Sequence, residues 1–184
     1  MAHAYLDIAR TPRVRAVEQR QGSLGAYDRT EAGDPHHDRL GPVEAAFVSA
    51  RDGFYLGTVS ETGWPYVQYR GGPPGFLRVL DETRLGFADF RGNRQYVSVG
   101  NLAGEARVSL FLMDYAQRRR LKIFGHAQVI ETAQDADLAA RLAVPGYRGL
   151  VERAVVVRVA GFDWNCPQHI TPRFTAAEWE AVRG

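Results

Sequence analysis

The chain has 184 residues, 45% hydrophobic and 24% charged, a balance that suits one domain with a buried core and terminal arms. The formal net charge is only +2, and the single cysteine, Cys166, excludes an intrachain disulfide. Near-balanced charge leaves no footprint for nucleic acid, and no apolar run approaches the roughly 20 residues that a membrane helix needs.

The first residues, MAHAYLDIARTPRVR, lack the apolar segment of a signal peptide. With one cysteine and no membrane span, the expectation is a soluble cytoplasmic protein. Thr11 and Pro12 read as the N-cap and first position of a short polar helix over 11–24. Residues 25–41, rich in Gly, Asp and His, read as a loop or arm, and 42–51 as a second short helix. FYLGTVS (54–60), the turn ETGW and PYVQYRG (65–71) make a hairpin signal, which GGPPG then breaks. FLRVL (76–80), the turn DET and RLGFADF (84–90) make a second hairpin, followed by a helix at about 94–103.

Two long strands follow, 106–115 and 118–131, joined by a tight polar turn. A helix over 134–143, a last strand over 153–164 and a short helix over 175–182 close the chain. Six or more antiparallel strands, with a helix after the fourth, predict a mainly β fold: a small barrel with flanking helices. The expected division is an N-terminal helix and arm over 1–41, the barrel over 42–163, and a tail with a short helix over 164–184. Strands do not alternate regularly with helices, and GGPPG is no dinucleotide fingerprint.

Four stretches carry candidate chemistry. In FADFRGNRQYVSVGNL (87–102) a strand ends at Asp89 and Phe90, turns through Arg91, Gly92, Asn93 and Arg94, and enters a helix. Asn93 is expected to cap that helix, whose first N–H groups and two flanking arginines suit a phosphate. An ordinary capped helix with solvated arginines explains the same residues equally well. In VQYRGGPPG (67–75) the strand carries Gln68, Tyr69 and Arg70, then loses its side chains at Gly71 and Gly72. Bare backbone there lets a flat ring lie close, although an edge strand stopped by prolines has the same appearance. In QRRRLK (117–122), Arg118, Arg120 and Lys122 share one face if the segment is a strand. In WNCPQHITPR (164–173), Asn165, Cys166 and His169 cluster, but with too few ligands for a metal and too locally for an oriented Cys–His pair.

Taken in order, the run TGWPYVQYRGGPPGFLRVLDETRLGFADFRGNRQYVSVGNL, the hairpin RVSLFLMDYAQRRRLKIFGHAQVI and the tail WNCPQHITPR resemble the pyridoxamine 5′-phosphate oxidase-like, FMN-binding split-barrel family, in its flavin-nucleotide-binding branch. The resemblance covers about residues 42–172. It implies a six-stranded antiparallel split β-barrel and a homodimer with FMN at its interface. It also implies that the strand after Gly63-Trp64-Pro65, from Gln68 to Gly71, lies along the flavin. Gln68 stands where the family usually has an arginine for the phosphate, which shifts that role to Arg70, Arg91 or Arg94. Asn93-Arg94-Gln95 is similar to the family's Ser-Arg-Lys turn, with Gln95 in place of the lysine. Arg120, with Lys122 beside it, corresponds to the group at the ring's pyrimidine edge. Asn165 and His169 would shape the substrate side, and Cys166 between them is counted with the cofactor-binding candidates. The C-terminal arginine-histidine signature of the true oxidase is missing, so vitamin B6 is not the expected substrate. The implied activity is an FMN-dependent oxidoreductase acting on an unidentified small molecule. A flavin carrier or sensor without turnover, and a barrel holding haem or a deazaflavin, are the competing readings.

Overall fold

The computed structural model describes residues 3–26, 36–164 and 167–183. Two short helices open the chain, α1 (Ala4–Ala9) and α2 (Pro12–Arg20). The Thr11 hydroxyl accepts the Val14 N–H, so the predicted cap of α2 is formed. Arg10, at the corner between the two helices, is buried and grips both carboxylate oxygens of Glu18 through Nε, at 3.2 and 3.1 Å. α1 was not anticipated, because six residues leave too short a pattern to read.

Helix α3 (Pro42–Ser49) precedes strands β1 (Gly53–Val59), β2 (Pro65–Gly71), β3 (Leu77–Asp81) and β4 (Arg84–Phe90). Helix α4 (Val97–Gly104) leads to β5 (Arg107–Asp114) and β6 (Arg119–Glu131). Helix α5 (Ala136–Leu142), strand β7 (Val151–Trp164) and helix α6 (Ala176–Arg183) complete the order. Among the described residues, no helix is long and apolar enough to cross a membrane.

The strands form one antiparallel ladder in the order β2-β1-β5-β6-β7-β4-β3. The ladder has seven members rather than the six expected, and it is not closed, since β2 and β3 stand at its two ends. At one end the five-residue β3, which the run FLRVL predicted, pairs with β4 and is covered by α3. A short, covered edge of this kind resists pairing with other chains.

The ladder nevertheless rolls up. β1 and β4 are four strand spacings apart, about 19 Å in a flat sheet. The rings of Phe54 on β1 and Phe87 on β4 nevertheless meet edge to face at 5.2 Å. Strict alternation on β5 and β6 explains the curl, because Leu110, Leu112, Leu121 and Ile123 all turn to one wholly buried interior. Every strand except β2 contributes to that single cluster, which Phe47 and Val48 of α3 seal. On the outer face α1 lies against β7, with Tyr5 stacked on Phe124 at 4.6 Å. Gly161 makes this possible: a Cβ there would stand 2.5 Å from the Tyr5 amide nitrogen.

Candidate functional site

Rolling the sheet brings β2, at one end, against β4, and a cleft of about 360 Å³ forms between them. β2 supplies Gln68, Tyr69, Arg70 and Gly71; β4 supplies Asp89 and Phe90; the corner supplies Arg91, Gly92, Asn93 and Arg94. These residues are up to 26 positions apart in sequence, and β2 and β4 are not neighbours in the ladder. Phe76, Phe87 and Ala88 give the cleft an apolar floor, and Tyr147, edge to face with Phe90 at 4.9 Å, borders it.

The electrostatics centre on two carboxylates. Asp89 is 4% exposed and lies between two guanidinium groups. It accepts from Arg70 Nη1 through Oδ1, and from Arg153 Nη1 through Oδ2 at 2.9 Å. This triad ties β2 to β4 and β7 across the open side of the barrel. The second carboxylate, Glu152, accepts from Arg91 Nε at 2.8 Å and from the Tyr96 hydroxyl at 3.2 Å, with Arg153 Nη1 at 3.5 Å. The Arg91 hydrogen bond, helped by Tyr96 and Arg153, holds the Glu152 carboxyl below the usual carboxylate range.

The corner differs from its expected form. Asn93 does not cap the helix; its Oδ1 accepts the Gln95 N–H at 3.2 Å, closing a local turn. The helix starts three residues later than expected, at Val97, behind Tyr96 as a left-handed N-cap that offers no side-chain acceptor. Arg94 is left-handed as well, with φ of 63°, beside 55° at Tyr96. Short polar side chains such as Asn93 favour bonding their own backbone two residues on, and that preference prevails here. Two left-handed non-glycine residues within three positions store strain of about 1–3 kcal/mol each, a feature that clusters at ligand sites.

The bare backbone of Gly71 and Gly72 also has a different use from the one expected. The Tyr69 ring lies over the cross-strand pair Gly53 and Gly71, so that a Cβ at Gly53 would fall 2.0 Å from the Tyr69 hydroxyl. The Phe76 ring covers Gly72 in the same way. The protein's own rings thus occupy the positions that the sequence suggested for a ligand ring. Burial, Asp52 and Tyr55 together raise the Tyr69 phenol above its ordinary pKa.

The remaining predicted residues lie elsewhere. Gln95 is exposed and does not line the cleft. Arg118 sits in the β5–β6 turn with φ of 53°, so it does not share the strand face of Arg120 and Lys122. Arg120 lies over Phe111 at 6.0 Å, while Lys122 pairs with Asp163 at 2.8 Å and lies over the Tyr5 ring. Both belong to the outer face of β6, away from the cleft within one chain. His169 is exposed in the tail, and Asn165 and Cys166 lie outside the described residues. Sequence reasoning missed Tyr96, Tyr147, Glu152 and Arg153. No local motif marks them, and the alternation of VERAVVVRV announces only a strand.

The cleft suits an anionic group attached to a flat apolar one. Arg70 Nε is buried without a hydrogen-bond partner, as are Arg78 Nε and Arg120 Nε outside the cleft. Arg94 is exposed and enters no ion pair among the described residues. The first N–H groups of α4 lack a capping side chain, and a Cβ at Gly92 would meet open space. Ser98, at the start of α4, donates to Gln68 Oε1 at 3.0 Å and so fixes the inner face of β2. The residues present therefore fit a phosphate-bearing cofactor.

The sequence model of the family described as pyridoxamine 5′-phosphate oxidase matches residues 41–160, well over half of the chain. The protein belongs to the pyridoxamine 5′-phosphate oxidase family. No curated protein matches the sequence. HupZ of Group A Streptococcus has a similar structure, with a TM-score of 0.56 at 12% identity, over 73% of this chain and 100% of that one. A Lactobacillus delbrueckii protein provisionally described as a pyridoxamine 5′-phosphate oxidase superposes with a TM-score of 0.52 at 19% identity, over 68% of this chain and 94% of that one. At such identities the likeness shows the fold, which is that of a split barrel.

Proposed function

We propose that the protein binds FMN in this cleft and acts as an FMN-dependent oxidoreductase on a small molecule. The observation that carries the reading is the corner at Arg91–Tyr96, where two arginines line the cleft beside an apolar floor and the chain enters a helix without a capping side chain. Arg94 and the N-terminus of α4 hold the phosphate, with Arg91 within reach. Gln68, oriented by Ser98, and the Tyr69 ring set the position of the isoalloxazine along β2. FMN, when bound, supplies the hydride or electron transfer, and the chain supplies position and electrostatics.

The second part of the proposal is a homodimer. The outer face of β1 and β2 exposes Tyr55, Val59, Val67 and Tyr69, with Trp64 in the connecting turn 75% exposed. A contiguous apolar row of this kind marks an interaction surface. Tyr69 belongs both to that row and to the cleft, so a second copy docked there borders the ligand, and Arg120 lies on the same outer face.

The test is an absorbance spectrum of purified protein, followed by titration with FMN and riboflavin. Strong preference for FMN supports the phosphate corner, and Arg94→Ala then weakens FMN by about 1–3 kcal/mol, the worth of a charge-assisted bond. Turnover with an electron donor separates an enzyme from a carrier or sensor. A Soret band, or preference for a deazaflavin, would replace FMN in this reading.

A further inference from the structure

We propose that Glu152 is a built-in competitor for the ligand's phosphate, which keeps the cofactor of this cleft exchangeable instead of permanently held. The inference rests on the FMN reading and concerns how tightly that site holds its ligand. Three arginines line the cleft, Arg70, Arg91 and Arg94, and two of them are already committed to carboxylates. Asp89 neutralises Arg70 from behind, being 4% exposed and held on its other oxygen by Arg153. Glu152 differs from Asp89 in gathering the very donors of the phosphate corner. Its Oε1 takes both the Arg91 Nε–H, at 2.8 Å, and the Tyr96 hydroxyl, at 3.2 Å.

Glu152 also lines the cleft itself, with a side chain 10% exposed, so its charge faces an incoming ligand. The lining charges, three arginines against Asp89 and Glu152, come to +1, less than a phosphate monoester dianion carries. A phosphate at the corner has to take Arg91 and Tyr96 from Glu152 and then lies beside that carboxylate's like charge. Like charges brought together in a partly desolvated site weaken binding strongly. Arg94, outside any ion pair among the described residues, is then the arginine whose charge is fully available. A site of this design exchanges its flavin with the surrounding pool, as a cosubstrate site or a carrier does.

The opposite role, Glu152 orienting Arg91 for the phosphate, predicts the opposite sign, so one variant separates the two. The full chain and Glu152→Gln are titrated with FMN, riboflavin and inorganic pyrophosphate, with far-UV circular dichroism to confirm folding. Competition predicts that E152Q tightens FMN and pyrophosphate by roughly tenfold or more and moves riboflavin by less than about twofold. It also predicts that the gain disappears when Arg91→Ala is combined with E152Q. Unchanged or weaker FMN binding in a folded E152Q would overturn the proposal while leaving the FMN reading intact. If the wild-type chain ignores FMN, that reading fails, and pyrophosphate alone decides on Glu152 by the same sign. If E152Q does not fold, Glu152→Ala takes its place and decides by the same sign: tighter pyrophosphate supports the competition, and unchanged or weaker binding overturns it.

Discussion

Asp89→Asn removes the charge that joins β2 to β4 and β7 in the rolled sheet. In the native chain Asp89 is 4% exposed, and the side chains of Arg70 and Arg153 are 18% and 12% exposed. Both guanidinium groups therefore share one carboxylate in a largely dry setting. Asparagine keeps the shape but not the charge, and its amide nitrogen faces donors. Two covered cations are left near each other without their anion, and breaking a buried pair from one side costs about 3–5 kcal/mol. Glu131 and Glu152, which also contact Arg153, soften the loss toward the lower end. For a domain of this size, about 3 kcal/mol lowers Tm by roughly 6–12 °C. The assay is thermal unfolding followed by circular dichroism, with urea midpoints as a check. A fall of less than about 2 °C would show that the triad does not fasten β2 to β4, and that the apolar interior alone keeps the sheet rolled.

Four further outcomes are expected. Gly161→Ala drives a Cβ into the Tyr5 and Ala4 backbone and undocks α1, read as faster proteolysis of the N-terminal segment, whereas Gly53→Ala displaces the Tyr69 ring on the opposite edge and leaves that proteolysis unchanged. Arg94→Ala leaves Tm within about 1 °C, because surface substitutions away from packed features change stability little, even as it weakens FMN. Val67→Glu, on the exposed outer face, converts the proposed dimer to monomer in light scattering, and an unchanged mass would refute that interface. The Thr83 amide and the Arg84 guanidinium hold the Asp81 carboxyl at about 2, against an ordinary 3.8. A depressed folded pKa contributes stability that is complete above the unfolded value and is lost as pH falls through the folded one. The urea midpoints of wild type and Asp81→Asn should therefore differ at neutral pH and converge as pH drops from 3.8 to about 2.

Much of the architecture was legible because alternation with period two survives in sequence. β2 and β4 occupy 65–71 and 84–90, the ranges that PYVQYRG and RLGFADF predicted, and the Thr11-Pro12 signal marked the start of α2. The position of the cleft was legible as well: from Gln68 to Gly71 and from Asp89 to Arg94, the residues singled out by type and spacing now line one cavity. These are local properties, carried by the covalent order of polar, apolar and turn-forming side chains.

What only the tertiary structure decided is how those segments face one another. Whether seven strands close or stay open depends on how far the ladder curls, a collective outcome of core packing that no window of sequence contains. The use of each bare glycine was decided the same way, since Tyr69 covers Gly53 and Gly71 only because β1 and β2 pair in that register. The same holds for Asn93, which bonds its own loop instead of the helix, and for Lys122, which Asp163 and Tyr5 hold on the outer face. Glu152 is the clearest case. In the sequence it is one acid in an alternating strand, 61 residues from Arg91. Folding brings β7 beside β4 and sets that carboxylate among the donors of the corner, because charges find partners by distance in space and not by separation along the chain.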